Sequence, residues 1–405
     1  MASLECVKPL KVVHPFKSIE FWDNHKLKIW GLGFLLRLLL IPFGLETTDY
    51  NRFRVPLARG LAEGGGLYNE VEYDQIPIYP YITAMMVLFL GTESQILTAI
   101  AIKLPIAIAD GFVLIVLYKI GIRLDLRDEG LLSSLVYAVN PLTLRNGAKA
   151  RWDGLMILTL LIAFYFMLQN HPYRFGFTVS TGCLIKVILI YLFGIALAYW
   201  KNDWLKLLKA TLTFLLTTTA LIAIVLIPFK TSLNQMYEGL ASHLAYSIDE
   251  THAVVPDFIE YRNLFFNVKP ILWVGVWAIV FFSLQVASLL AYYFNPEEKI
   301  LIEIMTFQMT LLSLFFINMH DQFLVWLFPS LLLWSITKSG KTLYFPILIT
   351  IGYFAYVLPT TIGERIGVII LGFTGVWIIY QLLKELINLH KSLGRNWNSE
   401  TYSKF

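Results

Sequence analysis

The chain alternates long apolar runs with short polar segments along most of its length. A helix of about 20 apolar residues crosses the roughly 30 Å hydrocarbon layer of a bilayer, so windows of that length predict membrane-spanning helices. The predicted spans cover residues 27–45, 96–120, 130–146, 153–169, 210–229, 270–294, 299–317, 322–337, 342–360 and 365–388.

Two further apolar segments contain residues that interrupt a helix. Residues 76–91 include Pro77 and Pro80, and residues 176–200 include Gly182, Lys186 and Gly194. Irregular backbone at membrane depth is tolerated where it is buried in protein or lines a cavity, so we expect each segment to be re-entrant or broken. The predicted fold class is all-α: a polytopic integral membrane protein with roughly ten to thirteen transmembrane or re-entrant helices.

The composition supports this class and excludes others. Apolar residues make up 57% of the 405 residues and charged residues 15%, which does not suit a soluble domain that must cover its core. Lys and Arg at span ends explain the net charge of +4 better than a nucleic-acid-binding face, so no nucleic acid is expected as a partner. Cys6 and Cys183 lie far apart, which predicts neither a disulfide framework nor a zinc site.

The distribution of Lys and Arg predicts the orientation, because short cytoplasmic loops carry an excess of both. Residues 1–26 and 389–405 are predicted to be cytoplasmic, and the whole chain, 1–405, to form one domain. The opposite face receives an acidic loop with a re-entrant helix at 46–95, the turn 145–153, a lid-like loop at 230–269 and the turn around His320.

Three groups of polar motifs lie on this second face. They are Thr47-Thr48-Asp49 with Gly64-Gly65-Gly66-Leu67-Tyr68 and Tyr79-Pro80-Tyr81, then Asn140-Pro141 with Arg151-Trp152-Asp153-Gly154, and last His320-Asp321-Gln322-Phe323 with Pro329. In this order the motifs resemble those of the GT-C glycosyltransferases, most closely the catalytic subunit of GPI mannosyltransferase I and its prokaryotic relatives. The resemblance extends over about four-fifths of the chain.

The resemblance implies an inverting enzyme with a polyprenyl-phosphate sugar as donor. A hexose, mannose or glucose, would pass from a polyprenyl or dolichyl phosphate to a hydroxyl of a lipid-linked glycan or similar glycolipid acceptor at the extracytoplasmic side of the bilayer. The family's first loop commonly contains an Asp-x-Asp pair, whereas Thr47-Thr48-Asp49 keeps only the second carboxylate. We therefore predict no cofactor and no dedicated metal site, although Glu72, Asp74 or the donor phosphate could add ligands for a divalent ion.

Such a transfer needs a base for the acceptor hydroxyl, and a carboxylate is a suitable one. Asp49 is the predicted catalytic residue because it follows the first span directly, close to where a lipid phosphate lies. Glu72, Asp74 and Asp153 are predicted as auxiliary or acceptor-binding acids. The alternative interpretation is structural: Asp49 and Asp153 could cap helices, and Glu72 and Asp74 could simply face water.

The leaving phosphate needs cations, since guanidinium, ammonium and imidazolium groups stabilise the growing negative charge. The predicted donor-phosphate ligands are Arg151, Lys186, Arg262 and His320. An unpaired ammonium within an apolar run costs on the order of 3 kcal/mol, so Lys186 is expected to have a partner or a wet cavity. Alternatively, Lys186 extends to the interface and Arg151 anchors there beside Trp152.

A membrane transporter or flippase is the rival function. Broken helices and sparse buried charges are also typical of transporters, and Lys103, Asp110, Lys186 and Glu303 could mark a pathway. The default interpretation of Arg37, Lys103, Asp110 and Glu303 is structural pairing inside the bundle. For localisation, the short loops and few cysteines favour a prokaryotic cell membrane, with the active site facing the exterior.

Overall fold

The computed structural model describes residues 19–45, 50, 54–65, 78–91, 94–227, 232–238, 241, 270–294, 297–314, 323–338, 342, 344–356 and 361–402. The predicted all-α class is confirmed, because every regular element in these ranges is helical. The α-helices are α1 (Ile19–Leu39), α2 (Val55–Ala62), α3 (Ile78–Leu90), α4 (Gln95–Arg123), α5 (Arg127–Val139), α6 (Pro141–Ala148), α7 (Asp153–Leu168), α8 (Pro172–Cys183), α9 (Leu192–Tyr199), α10 (Trp204–Leu226), α11 (Pro270–Phe294), α12 (Glu298–Leu314), α13 (Phe323–Thr337), α14 (Tyr344–Tyr356) and α15 (Thr361–Tyr402). A 3-10 helix, Val187–Tyr191, lies between α8 and α9.

Helix α4 is the central element of the amino-terminal half. It packs against α1, α3, α5 and α7, and α7 packs in turn against α8. The carboxyl-terminal half joins this group through α13, which contacts α5 and α7. Buried apolar side chains from both halves form one continuous core, so the fold brings the start of α13 close to the start of α7.

The predicted span at 130–146 is two helices rather than one. Pro141 has no N–H to donate and begins α6, and the Asn140 side chain accepts a hydrogen bond of 2.8 Å from the N–H of Leu142. Proline in the first turn and asparagine as the N-cap together start a new helix. The break turns the chain so that α6 ends close to the turn before α7.

The segment at 176–200, which we expected to be re-entrant or broken, is broken. Helix α8 ends at Cys183, the chain breaks around Lys186, and the 3-10 helix and α9 return in the opposite direction. Trp200, after α9, donates a hydrogen bond of 3.1 Å from Nε1 to Oδ1 of Asn170, before α8. Both ends of the segment therefore lie at the same end of the bundle, and its break lies in the interior.

Two helices lie within the acidic loop predicted at 46–95. Helix α2 has eight residues with Pro56 in its first turn, and α3 has thirteen. Thirteen residues rise about 20 Å, which is too short for the roughly 30 Å of hydrocarbon, as expected for a re-entrant element. The N–H of Ile78, the first residue of α3, donates to the carbonyl of Leu184 at 3.3 Å, so α3 begins at the break after α8.

Most of the buried charges pair inside the bundle. Arg37 Nε donates to Asp110 Oδ2 at 2.5 Å, while Tyr137 donates its hydroxyl to Asp110 Oδ1 at 2.5 Å. Lys338 lies 2.7 Å from Glu303 Oε1. Burial of Lys338 favours its neutral form, but the carboxylates of Glu303 and Glu385 together outweigh this effect and raise the pKa of Lys338 above its ordinary value. The expectation of structural pairing is confirmed for these residues, and Lys103 differs by binding backbone carbonyls.

The described helices present much apolar surface outward. Two of them, α4 and α10, are long and apolar enough to cross a membrane, and six other apolar segments of 10–17 residues are shorter. Only 11% of the apolar window of α10 is buried within the protein, against 67% for α4. Large side chains such as Leu216, Phe282 and Phe373 are more than 60% exposed. The last helix, α15, continues beyond the predicted span at 365–388 into the predicted tail.

Candidate functional site

Asp153 is the most deeply buried acid of the site. It is the first residue of α7, follows a left-handed turn at Ala150 with a φ of 57°, and has no solvent exposure. Trp326 Nε1 donates to Asp153 Oδ1 at 2.7 Å, and Asn146 Nδ2 lies 3.5 Å from Asp153 Oδ2. A buried carboxylate needs such donors and an opposite charge to stay ionised.

Lys186 supplies the opposite charge. Its Nζ lies 2.9 Å from Asp153 Oδ1 and 4.4 Å from the centre of the Trp326 ring. The side chain is 16% exposed and projects from the break between α8 and the 3-10 helix. The partner that the sequence led us to expect for Lys186 is therefore Asp153, and Trp326 contacts both members of the pair.

Trp152 forms a second layer beside the ion pair. The guanidinium carbon of Arg54 lies 3.5 Å above the centre of the Trp152 ring, and the Tyr79 ring lies 4.6 Å from the Trp152 ring. The distance between Arg54 and Trp152 is short for a cation–π contact. A planar guanidinium can stack on an indole in this way while its N–H groups remain available in the plane. The hydroxyl of Tyr79 donates to the carbonyl of Ile102 at 3.2 Å, which fixes that ring on α4.

Three cations and one acid converge among these described residues. Arg54 and Arg151 are both close enough to Lys186 for their charges to act on it. Asp153 neutralises one positive charge, so the group carries a net positive charge when Arg54, Arg151, Lys186 and Asp153 are counted. A cationic, partly buried site lined by aromatic side chains is suited to binding an anion such as a phosphate.

A glycine lets the site pack closely on α4. A Cβ at Gly154 would lie 3.1 Å from the Cβ of Asp110, so α7 can approach α4 there only with a small residue. Asp110 belongs to the Arg37 and Tyr137 group, which therefore lies directly behind the start of α7. The motif Arg151-Trp152-Asp153-Gly154 thus combines an ion pair, a stacked ring and a tight helix contact.

Lys103 holds the chain that leads to the acidic loop. Its Nζ donates to the carbonyls of Phe43 at 2.5 Å and of Ala148 at 2.7 Å, and lies 5.0 Å from the centre of the Tyr50 ring. Gly44 has a φ of +70° and passes so close to Ala148 that a Cβ there would lie 2.7 Å from its carbonyl oxygen. The end of α1 and the end of α6 are therefore fixed to one ammonium group.

Three of the predicted site residues come together: Asp153 and Lys186 in direct contact, and Arg151 within electrostatic reach of Lys186. Asp49, Glu72, Asp74, Arg262 and His320 lie outside the described residues. The prediction assigned Asp153 to the acceptor and Lys186 to the donor, whereas the two side chains form one ion pair.

Sequence reasoning missed Arg54, Trp326 and Asn146. Arg54 had a usable signal, since it is a cation five residues after Asp49 in the loop that the motifs had singled out. Trp326 had none, because a tryptophan within an apolar run is indistinguishable from a core or interface residue.

Within the described part of the chain, no three His, Cys, Asp or Glu side chains are grouped as a metal ion would require. Neither a family model nor a curated protein matches the chain.

Proposed function

We propose that this protein is a polytopic membrane protein of the GT-C type. The support is the apolar outer surface of helices such as α10, whose apolar window is only 11% buried among the described residues. A soluble protein seldom exposes large contiguous apolar patches, whereas the hydrocarbon of a bilayer covers them without cost. Short and broken elements such as α3 and the 3-10 helix would then line an interior cavity.

The proposed activity is inverting transfer of a mannose or glucose from a polyprenyl phosphate to a glycan or glycolipid hydroxyl at the extracytoplasmic face. One observation carries it: Lys186, Arg151 and Asp153 gather at a partly buried place where three chain breaks meet. Sugar transfer from a lipid phosphate requires such a cationic site, since the phosphate leaves with an added negative charge. The order of motifs described above supplies the family assignment.

In the proposed reaction, Asp49 accepts the proton of the acceptor hydroxyl while the acceptor oxygen bonds to the anomeric carbon of the donor. The bond between that carbon and the phosphate oxygen breaks, and the electron pair leaves on the polyprenyl phosphate. Lys186 and Arg151 stabilise that charge, as Arg262 and His320 do in the same proposal. Asp153 keeps Lys186 in place through its ion pair. No step requires a metal ion.

The test is sugar transfer by the full chain in nanodiscs, with polyprenyl-phosphate mannose or glucose as donor and a membrane lipid extract as acceptor source. Asp49→Asn should lower the transfer rate by about 10² to 10⁴ and leave donor binding intact. Asp125→Asn is the matched control, because Asp125 is exposed in the turn before α5 and asparagine tolerates its φ of 57°. EDTA should have no effect. Transfer at the normal rate by Asp49→Asn would remove Asp49 from the role of base.

A transporter or flippase is the second candidate, and one observation favours it. Two ion pairs, Arg37 with Asp110 and Lys186 with Asp153, lie buried close together around the start of α7. Charges in a bundle interior can mark a transport pathway. No transfer from either donor, combined with flux of a labelled lipid across a liposome membrane, would favour this function over the enzyme.

A further inference from the structure

Arg54 is a cation of the site whose Nε has no hydrogen-bond acceptor among the described residues. It stands immediately before α2, and its side chain is partly buried. Its contacts there are aromatic: Trp152 at 3.5 Å and Tyr79 at 5.9 Å from the ring centres. Its Nε is enclosed and has no hydrogen-bond partner among the described residues.

An enclosed Nε–H without a hydrogen-bond partner is costly, because each N–H removed from water needs an acceptor. Stacking on Trp152 and Tyr79 offsets part of that cost through the ring faces, but it gives the Nε–H no acceptor. The two rings also hold the guanidinium plane in one orientation. A bound anion would complete the arrangement, since five N–H donors in a fixed plane match the oxygens of a phosphate.

The surroundings of Arg54 select for an anion. Asp153, the acid of the described site, already has Lys186, Trp326 and Asn146 as partners. Arg54 and Lys186 are close enough for their like charges to act on each other. An anion placed between them would relieve this repulsion and gain from both cations.

We propose that Arg54, held flat on Trp152 and Tyr79, is the phosphate-binding residue of a subsite for a polyprenyl monophosphate, shared with Lys186. The inference rests on the proposed function, because it names a residue that receives the donor's phosphate. Trp152 and Tyr79 are positioning residues here, as they act through the orientation of the guanidinium. The Lys186 ammonium contributes positive charge, and the planar guanidinium of Arg54 contributes paired N–H hydrogen bonds to the phosphate oxygens.

The experiment measures binding apart from transfer. Geranylgeranyl monophosphate is titrated into the full chain in detergent by isothermal calorimetry, with geranylgeraniol and phosphatidic acid in parallel. We expect the original chain to bind the monophosphate and not the alcohol. Arg54→Gln should weaken that binding about tenfold to a hundredfold, as expected for a lost hydrogen bond to a charged group. Arg59→Gln, which removes an exposed charge from the adjoining helix α2, should leave the affinity within about twofold.

Arg54→Lys tests the planar contact separately. It keeps the positive charge but loses the paired N–H donors and the stacking on Trp152. We therefore expect an affinity between that of the original chain and that of Arg54→Gln. This variant also carries the test if Arg54→Gln does not fold. Unchanged affinity in Arg54→Gln, or in Arg54→Lys where that variant carries the test, would overturn the subsite. Phosphatidic acid binding as tightly as the monophosphate would overturn its assignment to the donor.

The two proposals fail in distinguishable ways. Arg54-dependent binding of geranylgeranyl monophosphate without sugar transfer by the original chain would keep the phosphate subsite and remove the glycosyltransferase. Transfer by the original chain at a rate and donor KM that Arg54→Gln does not change would keep the enzyme and remove the subsite.

Discussion

Lys186 Nζ and Asp153 Oδ1 lie 2.9 Å apart in the interior, although 33 positions separate the two residues in the chain. The pair joins the break after α8 to the first residue of α7, and Trp326 adds the carboxyl-terminal half through its hydrogen bond to Asp153. One ion pair therefore fixes three segments at the candidate site. Its removal should affect both stability and function.

Breaking this pair should destabilise the protein strongly. Lys186→Met leaves the Asp153 carboxylate buried without its cation, which typically costs about 3–5 kcal/mol in the free energy of unfolding. Asp153→Asn should cost a similar amount, since Lys186 then loses its anion. Chemical unfolding in detergent measures both effects.

The double variant distinguishes a pair from two independent residues. Lys186→Met combined with Asp153→Asn should cost much less than the sum of the two single changes, because neither charge is left alone. Lys206→Met serves as control, since its ion pair with Asp203 lies at the surface and should contribute little. Additive losses in the double variant would contradict direct pairing.

The group behind the site should be structural. Tyr137 donates its hydroxyl to the buried carboxylate of Asp110, and Arg37 is the charge partner of that carboxylate. Tyr137→Phe removes a hydrogen bond to a charged group and should lower the free energy of unfolding by about 1.5–3 kcal/mol. The donor KM and the transfer rate should stay unchanged, because the hydrogen-bond partner of the Tyr137 hydroxyl is Asp110 and not a cation of the site. Tyr380→Phe, on the exposed side of α15, should change neither stability nor transfer.

A changed donor KM in Tyr137→Phe at unchanged stability would place this group in the substrate path. That outcome would also strengthen the transporter interpretation, in which Arg37 and Asp110 line a pathway.

The all-α fold could be predicted because apolar runs of span length are themselves the signal for helices. The break within 176–200 could be predicted too, since Lys186 cannot lie within a lipid-facing helix without a partner. The sequence contained no sign that the partner would be Asp153. Pairings between distant residues depend on the packing of α7 against α8, and that packing is invisible in hydropathy.

The break at Asn140 shows a different limit. Hydropathy continues from α5 into α6, so a window of about 20 residues reads one span where there are two helices. The new helix could nevertheless have been predicted from Asn140 and Pro141, because asparagine followed by proline is a frequent helix start. Capping signals should therefore take precedence over hydropathy wherever the two disagree within an apolar run.

Close packing between α8 and α10 should depend on Gly176. A Cβ there would lie 2.2 Å from the carbonyl oxygen of Ala210, and backbone atoms cannot move aside cheaply. Gly176→Ala should push the two helices apart, weaken the 2.8 Å contact between the Ser180 and Thr218 hydroxyls, and cost about 1–3 kcal/mol. Gly372→Ala is the matched control, because nothing lies near a Cβ at that position of α15.

The control should even gain stability, by about 0.5–1 kcal/mol, since alanine is a better helix former than glycine. Thermal unfolding of both variants gives the comparison. Equal stability of Gly176→Ala and the original chain would mean that α8 and α10 have room to separate.

Lys103 offers a way to perturb the acidic loop at 46–95 without substituting any of the proposed catalytic residues. Its ammonium donates to the carbonyls of Phe43 and Ala148, which belong to the chain segments before Asp49 and before Arg151. Lys103→Met removes this donor from two partly buried carbonyls, and the change should cost about 1–3 kcal/mol in the free energy of unfolding. Transfer should fall through a lower kcat and a higher donor KM together, because the segments that lead to Asp49 and to Arg151 lose the same anchor. Lys119→Met, a change of the same kind at an exposed position of α4, should retain full activity and stability. An unfolding free energy in Lys103→Met equal to that of the original chain would show that the two carbonyls find other donors.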